Sequence, residues 1–510
     1  MLTELWSFRG RYRILHLTWF AFFISFVVWF NFAPFATAVQ ESLGLESGQL
    51  RTLAICNVAL TVPARVIIGM VLDKYGPRIT YSVLLIYASI PCLMFAFAQN
   101  FGQLVVSRLL LSIVGAGFVI GIRMVAEWFP PKEIGLAEGI YGGWGNFGSA
   151  AAAFTLPTLG TIAAIMSAGE INWRFAIGLT GILAAVYGVI YYLNVQDTPP
   201  GKVYQRPARH GGLEVTSRRD FWFMMVMNIP LSAILGLLAW RLNQVGFLNT
   251  AQLWLAWLFL VGLYAFQAYK CWIVNKELVL GQKRYPASDR YEFSQVALLE
   301  LTYVVNFGSE LAVVSMLPAF FENTFGLSKV LAGMIAASYA FMNLAARPGG
   351  GLISDTLGSR KVTMVVLTGC MGVAYMIMSG VQGNWWLPLA IALTMMCSFF
   401  VQAGEGSSFA MVPLIKRRVT GQIAGNVGAY GNVGAVAYLT LFSFLPEGDI
   451  GNRIFFQVLG VTAMIVTFLC AFYLKEPKGS FSAHHEGDEG HSETGVGQAV
   501  PHFVEEGTEV

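Results

Sequence analysis

Between residues 14 and 474 the chain is an almost unbroken series of apolar runs, each about as long as the roughly 20 residues that an α-helix needs to cross a 30 Å hydrocarbon layer. Charges and turn residues divide the series into fourteen candidate membrane helices: 14–37, 49–72, 79–99, 102–129, 136–165, 173–195, 221–240, 251–274, 294–321, 330–355, 362–381, 386–413, 422–445 and 453–474. Composition points the same way. Hydrophobic residues make up 56% and charged residues 12%, with a mean hydropathy of +0.60, against about 25% charged residues in soluble chains. The expectation is an all-α polytopic membrane protein whose main partner is the lipid bilayer. A net charge of +3 from scattered basic residues excludes a nucleic-acid protein, whose affinity rests on phosphate neutralisation. Cys56, Cys92, Cys271, Cys370, Cys397 and Cys470 stand singly in or beside apolar runs, without metal-ligand spacing, and read as small buried hydrophobes. Arg9, Arg11 and Arg13 precede the first run, but its length exceeds a signal-peptide core and no small-residue cleavage site follows, so it is expected to stay as a helix.

Basic residues set the orientation. Lys74 with Arg78, Lys132, the stretch from Lys202 to Arg219, Lys276 to Arg290, Arg360 with Lys361, and Lys416 to Arg418 fall in alternate loops, which are expected to face the cytoplasm. The intervening loops, such as 38–48, 322–328 and 446–452, carry few basic residues, so both termini are expected inside a cytoplasmic membrane. After Lys478 the chain has acids, four histidines and small residues but no lysine or arginine, a mix that cannot bury a core and is expected to be disordered. His484, His485, Glu486 and His491 lack the spacing of a zinc protease and read as part of a solvated tail.

An internal repeat constrains the fold further. Arg65, Gly69, Asp73, Gly76 and Arg78 recur as Arg347, Gly351, Asp355, Gly358 and Arg360, each 282 residues further on. Gly139, Gly142, Gly145, Asn146 and Gly148 recur as Gly425, Gly428, Gly431, Asn432 and Gly434 at an offset of 286. The chain therefore divides into two homologous six-helix halves, 1–200 and 294–475, joined by a linker with an inserted hairpin over 201–293 and followed by the tail 476–510.

Depth along the helices selects the chemistry. Arg65 lies eight residues from Asp73, ~12 Å into a layer whose half-thickness is about 15 Å, and Arg347 stands at the same depth from Asp355. Asn146 and Asn432 reach a similar layer from the same side. An arginine at mid-membrane costs at least ~2.5 kcal/mol on insertion scales, so two at repeat-related positions argue for a task at the repeat interface, the alternative being a pair of structural ion pairs. A guanidinium is forked, planar and permanently charged; two of them suit an anion with coplanar oxygens, such as an inorganic anion or a carboxylate. The glycines at intervals of three and four, Gly142, Gly145 and Gly148 with Gly428, Gly431 and Gly434, let helices approach closely, and for most of them packing alone is a sufficient account.

Gly-x-x-x-Asp-x-x-Gly-x-Arg, carried by Gly69, Asp73, Gly76 and Arg78 and echoed at Asp355 and Arg360, resembles the loop motif of the major facilitator superfamily. Its aspartate and arginine are read as pinning neighbouring helix ends, the carboxylate accepting charge-assisted bonds or capping a helix. Gly-x-x-Gly-Asn-x-Gly in the fifth and in the matching later helix resembles, more narrowly, the signature of the nitrate/nitrite porter family within that superfamily. His16 to Phe23, Arg347 to Gly350 and the pattern Tyr303-x-x-x-Phe307-Gly308-Ser309 agree with it, and the likeness spans the chain apart from the hairpin and tail. The resemblance implies the major facilitator fold with fourteen helices. It also implies a planar anion, nitrate or nitrite, held between Arg65 and Arg347 and between Phe118 and Phe307, with Asn146 beside it and Tyr303 as a hydrogen-bond donor. By its repeat position Asn432 joins this set.

Importing one negative charge against an inside-negative potential costs ~2.3 kcal/mol per 100 mV, so uptake requires a coupled cation or an exchanged anion. Among the helices, histidine occurs only as His16 near an edge, which leaves Glu310, one turn beyond Phe307, and Glu405, 11 residues before Lys416, as candidate proton carriers. Arg123 and Glu127, one turn apart, read as a structural pair. The expected activity is proton-coupled uptake by alternating access; nitrate/nitrite exchange, transport of small organic anions and anion sensing without transport are the alternatives. Neither Gly-x-Ser-x-Gly, a phosphate-binding loop nor a metal motif occurs in the helices, so no enzyme, cofactor or metal is expected, and the chain is expected to work as a monomer.

Overall fold

The computed structural model describes residues 4–167, 172–207, 211–446 and 448–483. Among these residues all regular structure is helical, as a lipid environment demands of a chain that must satisfy its own backbone groups. The tail beyond residue 483, with His484, His485, Glu486 and His491, lies outside the described residues. The spans are α1 (Gly10–Leu43), α2 (Gly48–Tyr75), α3 (Pro77–Ala96), α4 (Phe101–Trp128), α5 (Ile134–Ser167), α6 (Trp173–Asn194), α7 (Arg218–Gln244), α8 (Thr250–Val279), α9 (Phe293–Phe325), α10 (329–356), α11 (Arg360–Met378), α12 (Leu387–Ile415), α13 (Arg417–Phe444) and α14 (Asp449–Tyr473). Twelve are long and apolar enough to cross a membrane; α5 and the interrupted α10 complete the fourteen.

The repeat extends to the defects in its helices. α2 breaks at Leu60, between the helices Ser47–Ala59 and Thr61–Tyr75. α10 breaks at the corresponding place, where Lys329–Phe341 gives way to a 3-10 turn, Met342–Leu344, before Ala346–Thr356. Each break precedes the arginine of its half by about one turn. α4 also tightens into a 3-10 turn, Ser112–Ala116, in its middle. Short stretches of this kind free carbonyls that an unbroken α-helix would hold. Thr61 Oγ1 donates to the Ser112 carbonyl at 2.6 Å, and Ser398 Oγ donates to the Tyr339 carbonyl at 2.7 Å.

Packing follows the two halves. α1 lies on α5 and α9 on α13, while α3 pairs with α6 and α11 with α14. Between halves, α2 crosses α13 and α10 crosses α5, so the arginine-bearing helices form the seam. α7 of the inserted hairpin packs on α2 and α13, and α8 packs on α7 with Trp254, Leu255, Leu258, Phe259 and Val261 exposed, a surface suited to lipid. Arg11 pairs with Glu133 at 2.9 Å, and the Lys132 N–H donates to the Ser482 carbonyl at 3.2 Å. The two ends of the described chain thus meet one face of the bundle, the face that carries the basic loops. The cysteines are unpaired, and all but Cys370 are buried.

Candidate functional site

Arg65 and Arg347 enter the seam from opposite halves and are 0% and 1% exposed. Their surroundings differ. Arg65 donates from Nε to the Gly115 carbonyl at 3.2 Å and from Nη1 to the Gly428 carbonyl at 2.5 Å, so it meets only neutral acceptors. Arg347 donates from Nη2 to Tyr303 Oη at 2.9 Å and places Nη1 2.6 Å from Glu405 Oε2. Among the described residues Arg65 forms no salt bridge. Both guanidiniums lie against one ring: Cζ of Arg65 is 5.3 Å and Cζ of Arg347 5.2 Å from the Phe118 centroid. The two guanidiniums thus share one aromatic neighbour at the seam of the halves.

Aromatic rings enclose this point. Arg65 also sits 5.1 Å from the Phe307 centroid. Tyr303 and Phe307, one turn apart on α9, stack at 5.2 Å with planes 1° apart, and Phe118 lies parallel to Tyr303 at 6.1 Å. Phe409 of α12 meets Phe118 at 4.6 Å and Tyr303 at 4.8 Å, edge to face in both cases. Guanidinium groups gain from such ring faces by cation–π attraction, which strengthens as water is excluded.

The glycine stripes fit this geometry from both sides. A methyl on Gly142 would lie 2.6 Å from Arg347 Nε and one on Gly139 2.7 Å from the Arg347 carbonyl oxygen. In the other half, a methyl on Gly425 would lie 2.6 Å from the Arg65 carbonyl oxygen and one on Gly428 3.1 Å from Arg65 Cδ. Each arginine is thus received by the glycines of the opposite half. Further along, Gly145 and Gly148 admit Phe22, Phe23 and Phe26 of α1, while Gly431 and Gly434 admit Tyr303, Phe307 and Val304 of α9. Asn146 and Asn432 are buried in these stripes, and Oδ1 of each has no hydrogen-bond partner.

A polar cluster adjoins Arg347. Glu310 Oε1 accepts from Asn343 Nδ2 at 2.7 Å and from Gln402 Nε2 at 3.2 Å, while among the described residues Oε2 of Glu310 and both carboxyl oxygens of Glu405 accept no hydrogen bond. Asn343, Gln402 and Phe409 escaped the sequence reading. Asn343 and Gln402 carried a signal, a lone amide inside an apolar run; Phe409 carried none.

Toward the basic face the two halves clasp. Asp73 accepts from the N–H groups of Gly421 and Gln422, both at 3.0 Å, at the start of α13. Asp355 accepts from Gly135 at 3.0 Å and Leu136 at 2.7 Å at the start of α5. Each loop-motif aspartate therefore caps a helix of the other half, where the helix dipole favours negative charge. The arginines of the motif diverge: Arg360 pairs with Asp355 at 2.7 Å, whereas Arg78 donates to the Tyr192 carbonyl at 2.8 Å and Arg123 takes the place beside Asp73 at 3.8 Å. Arg123 also pairs with Glu127 at 3.0 Å, and Glu127 reaches Arg417 of the second half, again at 3.0 Å. Gly76 and Gly358 hold φ of 90° and 74°, which only glycine adopts without strain, and so turn the chain sharply after each aspartate.

Residues 18–275 and 299–503 match the profile described as Major Facilitator Superfamily. The chain belongs to that superfamily. Within it, the chain is 64% identical over 519 aligned residues to the nitrate/nitrite transporter NrtP of Picosynechococcus sp., covering 96% of this chain and 97% of that one. It is 59% identical to the nitrate/nitrite transporter NrtP of Nostoc punctiforme, covering 98% and 99% of the two chains. A solved major facilitator, the proton:xylose symporter XylE, superposes with a TM-score of 0.59 at 13% identity, covering 92% of this chain and 97% of that chain; at that identity the likeness concerns the fold. The fold expected from the repeat, two six-helix halves with an inserted hairpin, is the one found. The major facilitators are transporters and not enzymes, and the relatives carry the transporter name.

Proposed function

We propose that the chain moves nitrate and nitrite across the cytoplasmic membrane by alternating access, with the ion held between Arg65 and Arg347 against the rings of Phe118 and Phe307. One observation carries this reading: of two buried, repeat-related arginines on a shared ring, Arg347 already faces Glu405, and Arg65 faces neutral acceptors alone. A planar anion supplies the missing charge and accepts from both forks at once. Tyr303 holds the Arg347 fork, and of the buried amides of Asn146 and Asn432 it is the Nδ2 end, a donor, that an anion takes, since the unbonded Oδ1 only accepts. The names of the two close relatives narrow the anion to nitrate and nitrite.

In this reading the basic face is cytoplasmic, and the halves 1–200 and 294–475 rock about the site with the hairpin in 201–293 as an addition. Asp73 and Asp355 hold the cytoplasmic side shut, and opening it means withdrawing both caps. Glu310 and Glu405, both buried, supply the symported proton, which offsets the ~2.3 kcal/mol per 100 mV that a lone anion would incur.

Uptake of labelled nitrate into vesicles containing only this protein, at controlled pH and voltage, tests the proposal. Arg65→Lys and Arg347→Lys keep the charge but lose the fork, and both are expected to lose most transport. Full uptake by either variant refutes the site. Uptake that ignores a proton gradient but follows internal nitrite identifies an exchanger. Competition by formate as strong as by nitrite identifies an organic-anion carrier, and the absence of counterflow a sensor.

A further inference from the structure

Glu138, in the second turn of α5, is 1% exposed, and neither of its carboxyl oxygens has a hydrogen-bond partner. Its neighbours on the helix fix its place between the gate and the site. One turn before it, the N–H groups of Gly135 and Leu136 are held by Asp355. Just after it, Gly139 abuts the Arg347 backbone, and Gly142 abuts the Arg347 side chain. The repeat does not explain it, because the corresponding residue of α13 is Ala424.

The ionisable groups on the elements packed against this part of α5 are few. α1 brings Arg11, Tyr12, Arg13 and His16, α4 brings Arg123 and Glu127, α6 brings Tyr187 and Tyr191, α10 brings Arg347 and Asp355, α12 brings Glu405, and the turn before α5 brings Lys132 and Glu133. Of these Arg123 pairs with Glu127, Glu133 with Arg11, and Asp355 with Arg360. Arg347 is the cation of the anion site nearest along this helix, against Gly139 and Gly142, and Tyr141 is the next ionisable residue on α5. A structural acid in such a place would be expected to hold a partner, since an unpaired buried carboxylate is strongly disfavoured. A carboxyl that must gain and lose a proton has reason to stand unbonded.

We propose that Glu138 is the proton-release residue on the cytoplasmic side of the anion site. With the cytoplasmic side shut, Glu138 holds the symported proton as a neutral acid on the cytoplasmic side of Arg347, and Glu405 is left ionised against Arg347. When Asp355 lets go of α5, the first turns of that helix meet cytoplasmic water. The O–H bond of Glu138 then breaks, the proton passes to water, and the carboxylate turns to Arg347 as the anion leaves. One proton thus crosses per anion, with no oxidant or co-reactant. The inference rests on the proton-coupled reading above and names the residue that completes it.

The test uses the full chain in vesicles, with two measurements on each variant: accumulation of labelled nitrate driven by an inward proton gradient, and nitrate counterflow at equal pH. In Glu138→Gln the ratio of gradient-driven accumulation to counterflow is expected to fall about tenfold or more, because the lost group serves one limb of the cycle. Glu138→Asp should restore much of that ratio. A wild-type ratio in Glu138→Gln, or a parallel loss of both activities in Glu138→Gln and Glu138→Asp, overturns the assignment. A wild-type protein indifferent to the proton gradient overturns the coupled reading beneath it, a separate result.

Discussion

The sharpest test of the site's geometry is a single methyl group. Alanine at Gly142 would set its Cβ 2.6 Å from Arg347 Nε, 3.1 Å from Cζ and 3.2 Å from Cδ. Ordinary contacts begin at about 3.5 Å, so the guanidinium must retreat by roughly 1 Å. It is not free to do so, since Nη1 is fixed at 2.6 Å from Glu405 and Nη2 at 2.9 Å from Tyr303. Overpacking of a rigid site costs about 1–3 kcal/mol, which is roughly a 5- to 150-fold loss of apparent affinity if the anion needs both forks in register. Gly428→Ala is the milder twin: its methyl meets Arg65 at 3.1 Å, and at Cδ, so a few tenths of an ångström suffice. Gly349→Ala, two residues from Arg347 but with no atom within 4 Å, is the control. Concentration dependence of nitrate uptake in vesicles, at equal protein content, should rank the variants Gly142→Ala, Gly428→Ala and Gly349→Ala in decreasing effect. Equal behaviour of Gly142→Ala and Gly349→Ala would refute the claim that the glycine stripe exists to receive the arginine of the opposite half.

Tyr303→Phe removes the hydroxyl that accepts from Arg347 and should weaken apparent nitrate affinity roughly 10- to 150-fold, the worth of about 1.5–3 kcal/mol for a lost charged hydrogen bond, while Arg347→Lys does more; saturation curves for the two variants decide this. Asp73→Asn and Asp355→Asn each loosen one interhalf cap, and each should raise thiol labelling of a cysteine placed at Leu136 or Gln422 from the basic face; unchanged labelling would detach the motif from gating. Glu405→Gln removes the carboxylate that is ion-paired with Arg347 and should abolish the response of uptake to a proton gradient, read as accumulation at acid against neutral external pH. Arg417→Ala breaks the link to Glu127, which keeps its pair with Arg123, and nitrate affinity is expected to stay within about twofold because neither group belongs to the anion site; saturation curves check this.

Depth was legible in the sequence; direction around each helix was not. Counting residues from Asp73 and Asp355 put Arg65 and Arg347 in one layer because the rise per residue is fixed. The same count cannot say that Glu405 turns to Arg347 and leaves Arg65 to carbonyls, or that Glu310 is taken up by Asn343 and Gln402, since those choices depend on how the halves rotate against each other. The Arg123 and Glu127 pair was readable as a one-turn spacing, whereas its link to Arg417, some 290 residues away, was not. The repeat also implied more symmetry than the loops possess: Arg78 and Arg360 occupy matching positions but different contacts, because Arg123 of α4 fills the place beside Asp73 and α12 has no matching arginine.

That departure from symmetry is where function can be seen to enter. Two identical halves would bring two arginines with identical surroundings, and the layer would hold either two counter-ions of its own or none. With none, two cations enclosed in lipid repel each other and destabilise the closed state before an anion arrives. With two, no charge is left for the ion to satisfy, and selectivity for an anion disappears. Here one carboxylate, Glu405, neutralises Arg347, and the remaining positive charge at Arg65 matches one monovalent anion. In the proposed symport, a proton taken up by Glu405 or by the buried Glu310 changes the charge of the layer by one unit, the charge of one monovalent anion. A variant that makes the halves alike, such as Glu405→Ala, should therefore raise the affinity for anion in the empty site while stopping net transport, since a layer with two uncompensated arginines would bind the ion and not release it.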